Sequence, residues 1–578
     1  MGRRRAPTGR SPQERVRIGF LQPILRSRRS SVRRVCLTWG GVERPSKGLR
    51  APWTRPLRCV VMKTARSLVL ALLCALIAAI AAGCGSSSSG SGGDNDPAAL
   101  VPATAPVYAE ATLRPDGKVG ADLDAALKKI LRTADPGALI QKAIDDSGKS
   151  DGTTYKKDIE PWLGERAGVA VTAIHGNDAD YVVVVNSTDD GKAKQALKDT
   201  KGDIVDRSYN GVDYRFDRKD NTAAGVFGHS VVVGTEPGFK SAVDASKGES
   251  LSESNGLRAV RSKVAEERVG LLYLDVDGVL RAVSQSAGSQ PEVGALLQSL
   301  SSAVPKTVGA ALQAQPDAIK VDAVSLGTPK SASSGASGAD MVASLPSDSW
   351  LALGFGKSGQ ALEGVLDGIG KAGGISGVGV NALLSQFQQQ TGLDLRKDVL
   401  SWMGDAGIFV TGKGLPDLGG GLVVKTSDPA KTKRVIAVLR RLAAQQGGGS
   451  VKSLSAQGVD DGFTLQPTDG PRIDVALAGD RFVVAVGAAG TLKEAISSSQ
   501  PLSSAPAFTD AAGRLGDGLR PSFYLDFQQV VSLIESSVGN DAGYQKAKPY
   551  LETFGAVVAG AKDEGDGVTR ARFVVTLK

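Results

Sequence analysis

The chain has 578 residues, a formal charge of +9, 41% hydrophobic and 5% aromatic residues, four cysteines and two histidines. That length calls for two or more domains, with cores large enough to do without disulfide staples. With only His175 and His229 present, a histidine-rich metal site or a Ser-His-Asp triad has little material.

The charge is unevenly spread. Residues 1–61 hold 16 of the 69 Lys and Arg but only Glu14 and Glu43 of the 60 acidic residues, with no sustained periodicity. They read as a disordered, basic stretch upstream of a start at Met62 rather than as a nucleic-acid-binding arm. From Met62 a tripartite segment begins: Lys63 and Arg66, then fifteen apolar residues from Leu68 to Ala82, then Ala81-Ala82-Gly83-Cys84. A spanning helix needs roughly 20 apolar residues, so residues 62–83 are predicted to be a signal peptide and not a permanent transmembrane anchor. The small residues before Cys84 resemble the lipobox of bacterial lipoproteins. That resemblance implies cleavage before Cys84, diacylglycerol on its sulfur with acyl chains such as palmitate, and anchorage on the extracytoplasmic face of the cell membrane. Residues 84–99, opening Gly85-Ser86-Ser87-Ser88-Ser89-Gly90-Ser91-Gly92-Gly93, would be a flexible tether.

Beyond residue 83 the chain carries 51 basic and 58 acidic residues, a charge of −7. Nucleic acid is therefore disfavoured as a partner. Cys36, Cys59 and Cys74 precede the cleavage point, which leaves Cys84 alone, without a disulfide or a cysteine metal site.

Two stretches then match in order. Asp158-Ile159-Glu160-Pro161-Trp162 is answered by Asp398-Val399-Leu400-Ser401-Trp402, Asn210-Gly211-Val212-Asp213 by Gln457-Gly458-Val459-Asp460, and Leu272-Tyr273-Leu274-Asp275 by Phe523-Tyr524-Leu525-Asp526. The offset drifts from 240 at the tryptophans to 251 at Asp275 and Asp526, as loop insertions would produce. Two homologous halves, residues 100–328 and 341–578, are predicted, joined by a linker over 329–340. In the first half Ala121 to Leu131 reads as an amphipathic helix, Val169 to Thr172 and Tyr181 to Val185 as strands, and the segment after Asp190 as a helix capped near Thr188 or Asp189. Gly228-His229 and Gly479-Asp480 are predicted hairpin turns, which imply antiparallel pairing. Ala382 to Phe387 should be a helix of the second half. The fold class is α+β, each half a largely antiparallel sheet backed by helices.

The opening Val101-Pro102-Ala103-Thr104-Ala105-Pro106-Val107-Tyr108 and the motif Pro161-Trp162-Leu163-Gly164-Glu165-Arg166 resemble those of a family of lipoproteins of unknown function from high-GC Gram-positive bacteria. The resemblance covers residues 84–578 and implies surface localisation; it carries no activity, ligand or functional residues.

Candidate chemistry is sparse. Leu272-Tyr273-Leu274-Asp275-Val276-Asp277-Gly278-Val279-Leu280 looks like the first motif of haloacid dehalogenase-type phosphatases, in which the first Asp attacks phosphorus and the second handles a proton beside Mg²⁺. The matching strand ends Leu525-Asp526-Phe527-Gln528, without the second acid. Gly354-Phe355-Gly356-Lys357-Ser358 ends like a phosphate-binding loop, but Leu351 stands where the first Gly is needed. Trp162 and Trp402 are read as core rather than sugar-stacking residues, and no twelve-residue calcium loop is present. No cofactor or metal is called for. The leading expectation is a non-enzymatic lipoprotein that binds an extracytoplasmic protein or small ligand between or upon its halves. A solute-receptor or lipid-carrier role, with apolar sheet faces sheltering a molecule, is the first alternative, and a hydrolase using Asp275 and Asp277 the second.

Overall fold

The computed structural model describes residues 96–578 apart from 149–152, 177, 201, 287–300, 302–303, 329–337, 372–378, 415–416, 446–447, 488–490 and 497–499. Residues 1–61, the signal segment, Cys84, most of the tether and most of the linker lie outside the described residues. The fold is α+β, with every described strand pairing antiparallel. Asp96 caps a helical turn over Pro97–Leu100, and Ala98 is fully buried, so packed structure begins within the stretch assigned to the tether.

Residues up to 326 supply ten strands: β1 (Val107–Thr112), β2 (Leu163–His175), β3 (Asp178–Ser187), β4 (Ile204–Tyr209), β5 (Val212–Asp217), β6 (Thr222–Phe227), β7 (Ser230–Thr235), β8 (Gly270–Asp275), β9 (Thr307–Gln315) and β10 (Ala318–Leu326). Their order in the sheet is β4-β5-β6-β7-β3-β2-β1-β8-β9-β10. Ten more follow: β11 (Leu351–Phe355), β12 (Met403–Thr411), β13 (Gly419–Thr426), β14 (Gly449–Ser453), β15 (Asp461–Pro467), β16 (Ile473–Ala478), β17 (Arg481–Val486), β18 (Pro521–Asp526), β19 (Phe554–Gly565) and β20 (Val568–Leu577). Their order is the first with ten added to each number, β14-β15-β16-β17-β13-β12-β11-β18-β19-β20.

The two sets are not separate sheets. β10 pairs with β20 over nine residue pairs, from Ala318 opposite Thr576 to Leu326 opposite Val568, and makes one sheet of the 20 strands among the described residues. Twisted open sheets rarely exceed about ten strands, and this one reaches twice that by edge-to-edge fusion of two tens. At the centre of the seam Asp322 faces Arg572. Arg572 Nη2 donates to Asp322 Oδ1 at 2.9 Å and Arg570 Nη1 to Asp322 Oδ2 at 3.0 Å. Arg572 also bridges to Asp517 Oδ2 at 2.8 Å, and Arg570 Nε donates to Glu564 at 2.8 Å. Asp322 is 1% and Arg572 8% exposed, so the pairing is a buried one.

One sheet face, here the core face, carries Tyr108, Leu271, Tyr273 and Val324 in the first set. They pack under α4 (Glu236–Ala245) and α5 (Asn255–Arg261) through Phe239, Val243, Leu257 and Val260. In the second set Ala352, Phe409, Tyr524 and Val558 pack under α7 (Gly338–Ala343), α11 (Thr491–Ile496) and α12 (Pro506–Gly513). The remaining described helices are α1 (Gly117–Leu131), α2 (Pro136–Gly148), α3 (Asp190–Asp199), α6 (Val276–Ser286), α8 (Ser358–Lys371), α9 (Val380–Thr391), α10 (Pro429–Gln445), α13 (Phe527–Val538) and α14 (Ala542–Leu551).

Local expectations hold where the chemistry is local. Asp189 caps α3 by accepting from Lys192 N–H at 3.0 Å. Gly228 and His229 both take positive φ, 55° and 52°, as a two-residue turn matched to strand twist requires.

Candidate functional site

Asp275 ends β8 and N-caps α6, its Oδ1 accepting from Gly278 N–H at 3.0 Å. Asp526 ends β18 and caps α13 in the same way, accepting from Gln528 N–H at 3.0 Å. The Asp shared by both stretches is thus explained by helix initiation. Asp277 lies in the first turn of α6, where a carboxylate favours the helix dipole. The parallel sheet that phosphatase chemistry relies on is replaced by antiparallel pairing on both sides of β8. Among the described residues no group of three acidic, histidine or cysteine side chains converges as a metal site.

The other singled-out residues are also engaged structurally. Lys357 N–H donates to Asp405 Oδ1 at 3.0 Å and Ser358 Oγ–H to Gly404 carbonyl at 2.7 Å, which fixes the β11-to-α8 turn. Trp162 Nε1–H donates to Asp158 carbonyl at 2.7 Å and Trp402 Nε1–H to Asp398 carbonyl at 2.8 Å. Trp402 is buried against Phe482, and Trp162 is half-buried. His175 and His229 are exposed and lie beside Asp180 and Asp190. Arg166, from the Pro161–Arg166 motif, joins Arg261 and Tyr108 in donating to buried Glu110, at 3.0, 2.6 and 2.9 Å. Burial alone would raise the neighbouring Asp96 carboxyl, but the Arg261 guanidinium outweighs it and holds Asp96 below its ordinary value.

The feature that sequence reasoning did not locate is the opposite, open face of the sheet. One register row crosses ten strands: Gly270, Leu312, Val321, Phe573, Ala559, Phe523, Leu353, Ile408, Leu422 and Val484, each directly opposite the next. Every member is apolar. The charged strand residues near the seam, Lys320, Asp322, Arg570 and Arg572, alternate with this row and point to the core face, because successive side chains of a strand take opposite faces. Seven inter-strand steps separate Leu312 from Leu422, roughly 34 Å at about 4.8 Å each.

Both flanks of the open face are covered. Helix α1 packs Leu123 and Leu127 near Leu312, and α10 packs Val435 and Ile436 near Leu422. The middle is not covered to the same extent: Phe573 is 49% exposed, Phe355 46% and Ile408 37%, although Ala559 is buried, and Leu272, 42% exposed, lies beyond Leu312 on β8. Helices bordering it show apolar side chains to solvent as well, Val283 on α6, Leu362 and Val365 on α8, and Ile534 and Val538 on α13. Scattered exposed apolar residues are ordinary on a protein surface; here they fall along one register row, between helices that also show apolar side chains to solvent. The sequence signal for it was available: Leu272-Tyr273-Leu274 and Leu351-Ala352-Leu353 are apolar at both parities, although the core face needs only one.

A separate depression of about 1000 Å³ lies between α3 and strands β4–β6, with Lys194, Lys198, Arg207 and Arg215 on its walls. Helix α3 stops after ten residues, whereas α10, at the corresponding place in the second strand set, continues for seventeen and covers β14–β16.

Similarity to known proteins is limited. No curated protein matches the chain. Among solved structures, crystal form I of TP0453 is similar at 12% identity, covering 41% of this chain and 80% of that one with a TM-score of 0.20. Crystal form III of TP0453 is similar at 10% identity, covering 70% of this chain and 98% of that one with a TM-score of 0.19. A family profile, by contrast, matches residues 65–576, and the chain belongs to that family, described as protein of unknown function (DUF3352).

Proposed function

We propose that the protein is a non-enzymatic lipoprotein, anchored through Cys84 on the extracytoplasmic face of the membrane, that holds the acyl part of a lipid on the open face of its sheet. The observation that carries the reading is the uncharged register row from Leu312 to Leu422 with Phe573 and Ile408 left accessible on it and Phe355 beside it. Its two accessible members, Phe573 and Ile408, are four inter-strand steps apart, roughly 19 Å at about 4.8 Å each, which exceeds the roughly 15 Å of one leaflet's hydrocarbon, half of a core about 30 Å thick, so one extended acyl tail fits between the covered ends. A membrane-tethered protein would meet such ligands where it is anchored. The sequence supports the anchor through the Lys63/Arg66 charges, the apolar Leu68–Ala82 stretch and the small residues before Cys84.

The same reading takes the chain as two homologous halves, 100–328 and 341–578. Support comes from the repeated strand order, from the matching Trp162 and Trp402 hydrogen bonds, and from the matching Asp275 and Asp526 caps. Fusion of the halves through β10 and β20 is what makes the apolar row long.

The test is organic extraction of the purified full chain followed by mass spectrometry, with displacement of a fluorescent fatty acid as a binding assay. Lipid recovered from the wild type and lost in Phe573→Glu and Ile408→Lys is the expected result. A chain that yields no lipid and binds no acyl probe overturns the carrier role. Anchorage is tested separately, because Cys84→Ala should move the protein from the membrane fraction to the soluble one.

A further inference from the structure

On the core face the helix layers part above the seam, and a depression of about 360 Å³ opens there. Lys263, which follows α5, Lys320 on β10, and Arg570 and Arg572 on β20 line it together with Asp322 and Asp517. Four cations thus face two carboxylates. The carboxylates are already taken, Asp322 by both arginines and Asp517 by Arg572, and Glu564 engages Arg570 Nε. Lys320 has no carboxylate within ion-pair distance among the described residues, and Arg570 Nη2 is uncommitted among them. Burial first, and then the charges of Arg572 and Arg514, hold the Lys320 ammonium below its ordinary value. Lys320 is a half-buried cation beside guanidiniums, with no ion-pair partner among the described residues and only the smaller pull of Asp317 and Asp517 to offset them, an arrangement that an anion would relieve.

We propose that the seam depression binds a small phosphate-type oxyanion, with Lys320 as its anchoring charge and Arg570 contributing guanidinium hydrogen bonds. The volume is at the lower end of small-ligand sites. The lining suits a compact, highly charged group, because guanidinium and ammonium donors match phosphate oxygens. The site is on the sheet face opposite the acyl-binding row, so it stands or falls independently of that reading.

The experiment is calorimetric titration of the full chain at low ionic strength with inorganic phosphate, run beside flotation with vesicles of phosphatidylglycerol in phosphatidylcholine. Phosphate binding that weakens at least about tenfold in Lys320→Gln and recovers in Lys320→Arg supports the site with a free oxyanion as ligand. Lys320-dependent binding only to the phosphatidylglycerol vesicles supports it with a lipid headgroup as the source. No saturable binding in either arm, or binding unchanged in Lys320→Gln, overturns it. Folding does not confound the test, because removing an unpaired, partly buried cation should leave the urea midpoint unchanged or raise it. A midpoint that falls in Lys320→Gln would mean that Lys320 is structural, and would also count against the site.

Discussion

At Asp322 a buried carboxylate meets two guanidiniums, Arg572 buried and Arg570 partly exposed, and the paired charges offset one another's desolvation. Removing the carboxylate would leave Arg570 and Arg572 facing each other with one fewer counter-charge. Asp322→Ala should therefore cost about 3–5 kcal/mol, read as a lowered urea midpoint, while the exposed pair Lys142–Asp146 should cost less than about 1 kcal/mol when broken. Glu236 supplies a pH-dependent counterpart. Tyr214 O–H donates to it at 2.7 Å, Lys240 and Arg207 add charge at 3.0 and 2.7 Å, and its pKa falls from 4.5 to about 2. A depressed carboxyl stabilises the fold above its unfolded pKa and loses that contribution as pH falls through the folded value. The stability deficit of Glu236→Gln should accordingly be full at pH 6, shrink below about pH 4.5 and vanish near pH 2, as urea midpoints measured across that range would show. Residue chemistry of this kind was only partly legible beforehand. Asp275-Val276-Asp277-Gly278 carries the letters of a nucleophile motif, and only the hydrogen bond to Gly278 N–H reveals a cap.

Helix and strand identities were readable because their causes are local: the β-branched run Tyr181–Val185, the cap at Asp189, the positive-φ turn at Gly228-His229. The caps at Asp275 and Asp526 also set where α6 and α13 leave the sheet, and both helices border the open apolar face. Asp526→Ala should destabilise by about 1 kcal/mol and raise hydrogen exchange in the first turn of α13 ahead of the rest of that helix. What the local pattern could not disclose is which strands become neighbours. Pairing of β1 with β8 and of β11 with β18 joins segments more than 150 residues apart, and no turn signal records it. The same gap hid the open face, since a strand apolar at both parities reads as buried on both sides until the covering helices are located.

For the whole molecule, the sheet places two kinds of chemistry back to back. The open face is apolar along its central row, and the core face gathers the charges at the seam. The sequence placed a binding site between or upon two similar halves; pairing of β10 with β20 puts the seam depression between the two strand sets and the apolar row across both. Breaking the seam should separate these properties. Val321→Pro removes a backbone donor from the middle of β10 and should destabilise β10–β20 pairing. Protection of β10 and β20 amides should then fall more than that of β6 and β7, which hydrogen-exchange mass spectrometry would detect.

The Asp322–Arg572 pair also gives the seam a means of self-recognition. Two β10 strands from different copies, meeting antiparallel in the register centred on residue 322, would set carboxylate against carboxylate, and two β20 strands would set guanidinium against guanidinium; like charges directly opposite one another oppose pairing. Each edge therefore matches the other edge of its own chain and rejects its duplicate. At the midpoint of the sheet one complementary pair turns two borders that could recruit neighbouring molecules into an internal joint, leaving β4 and β14 as the outer strands among the described residues.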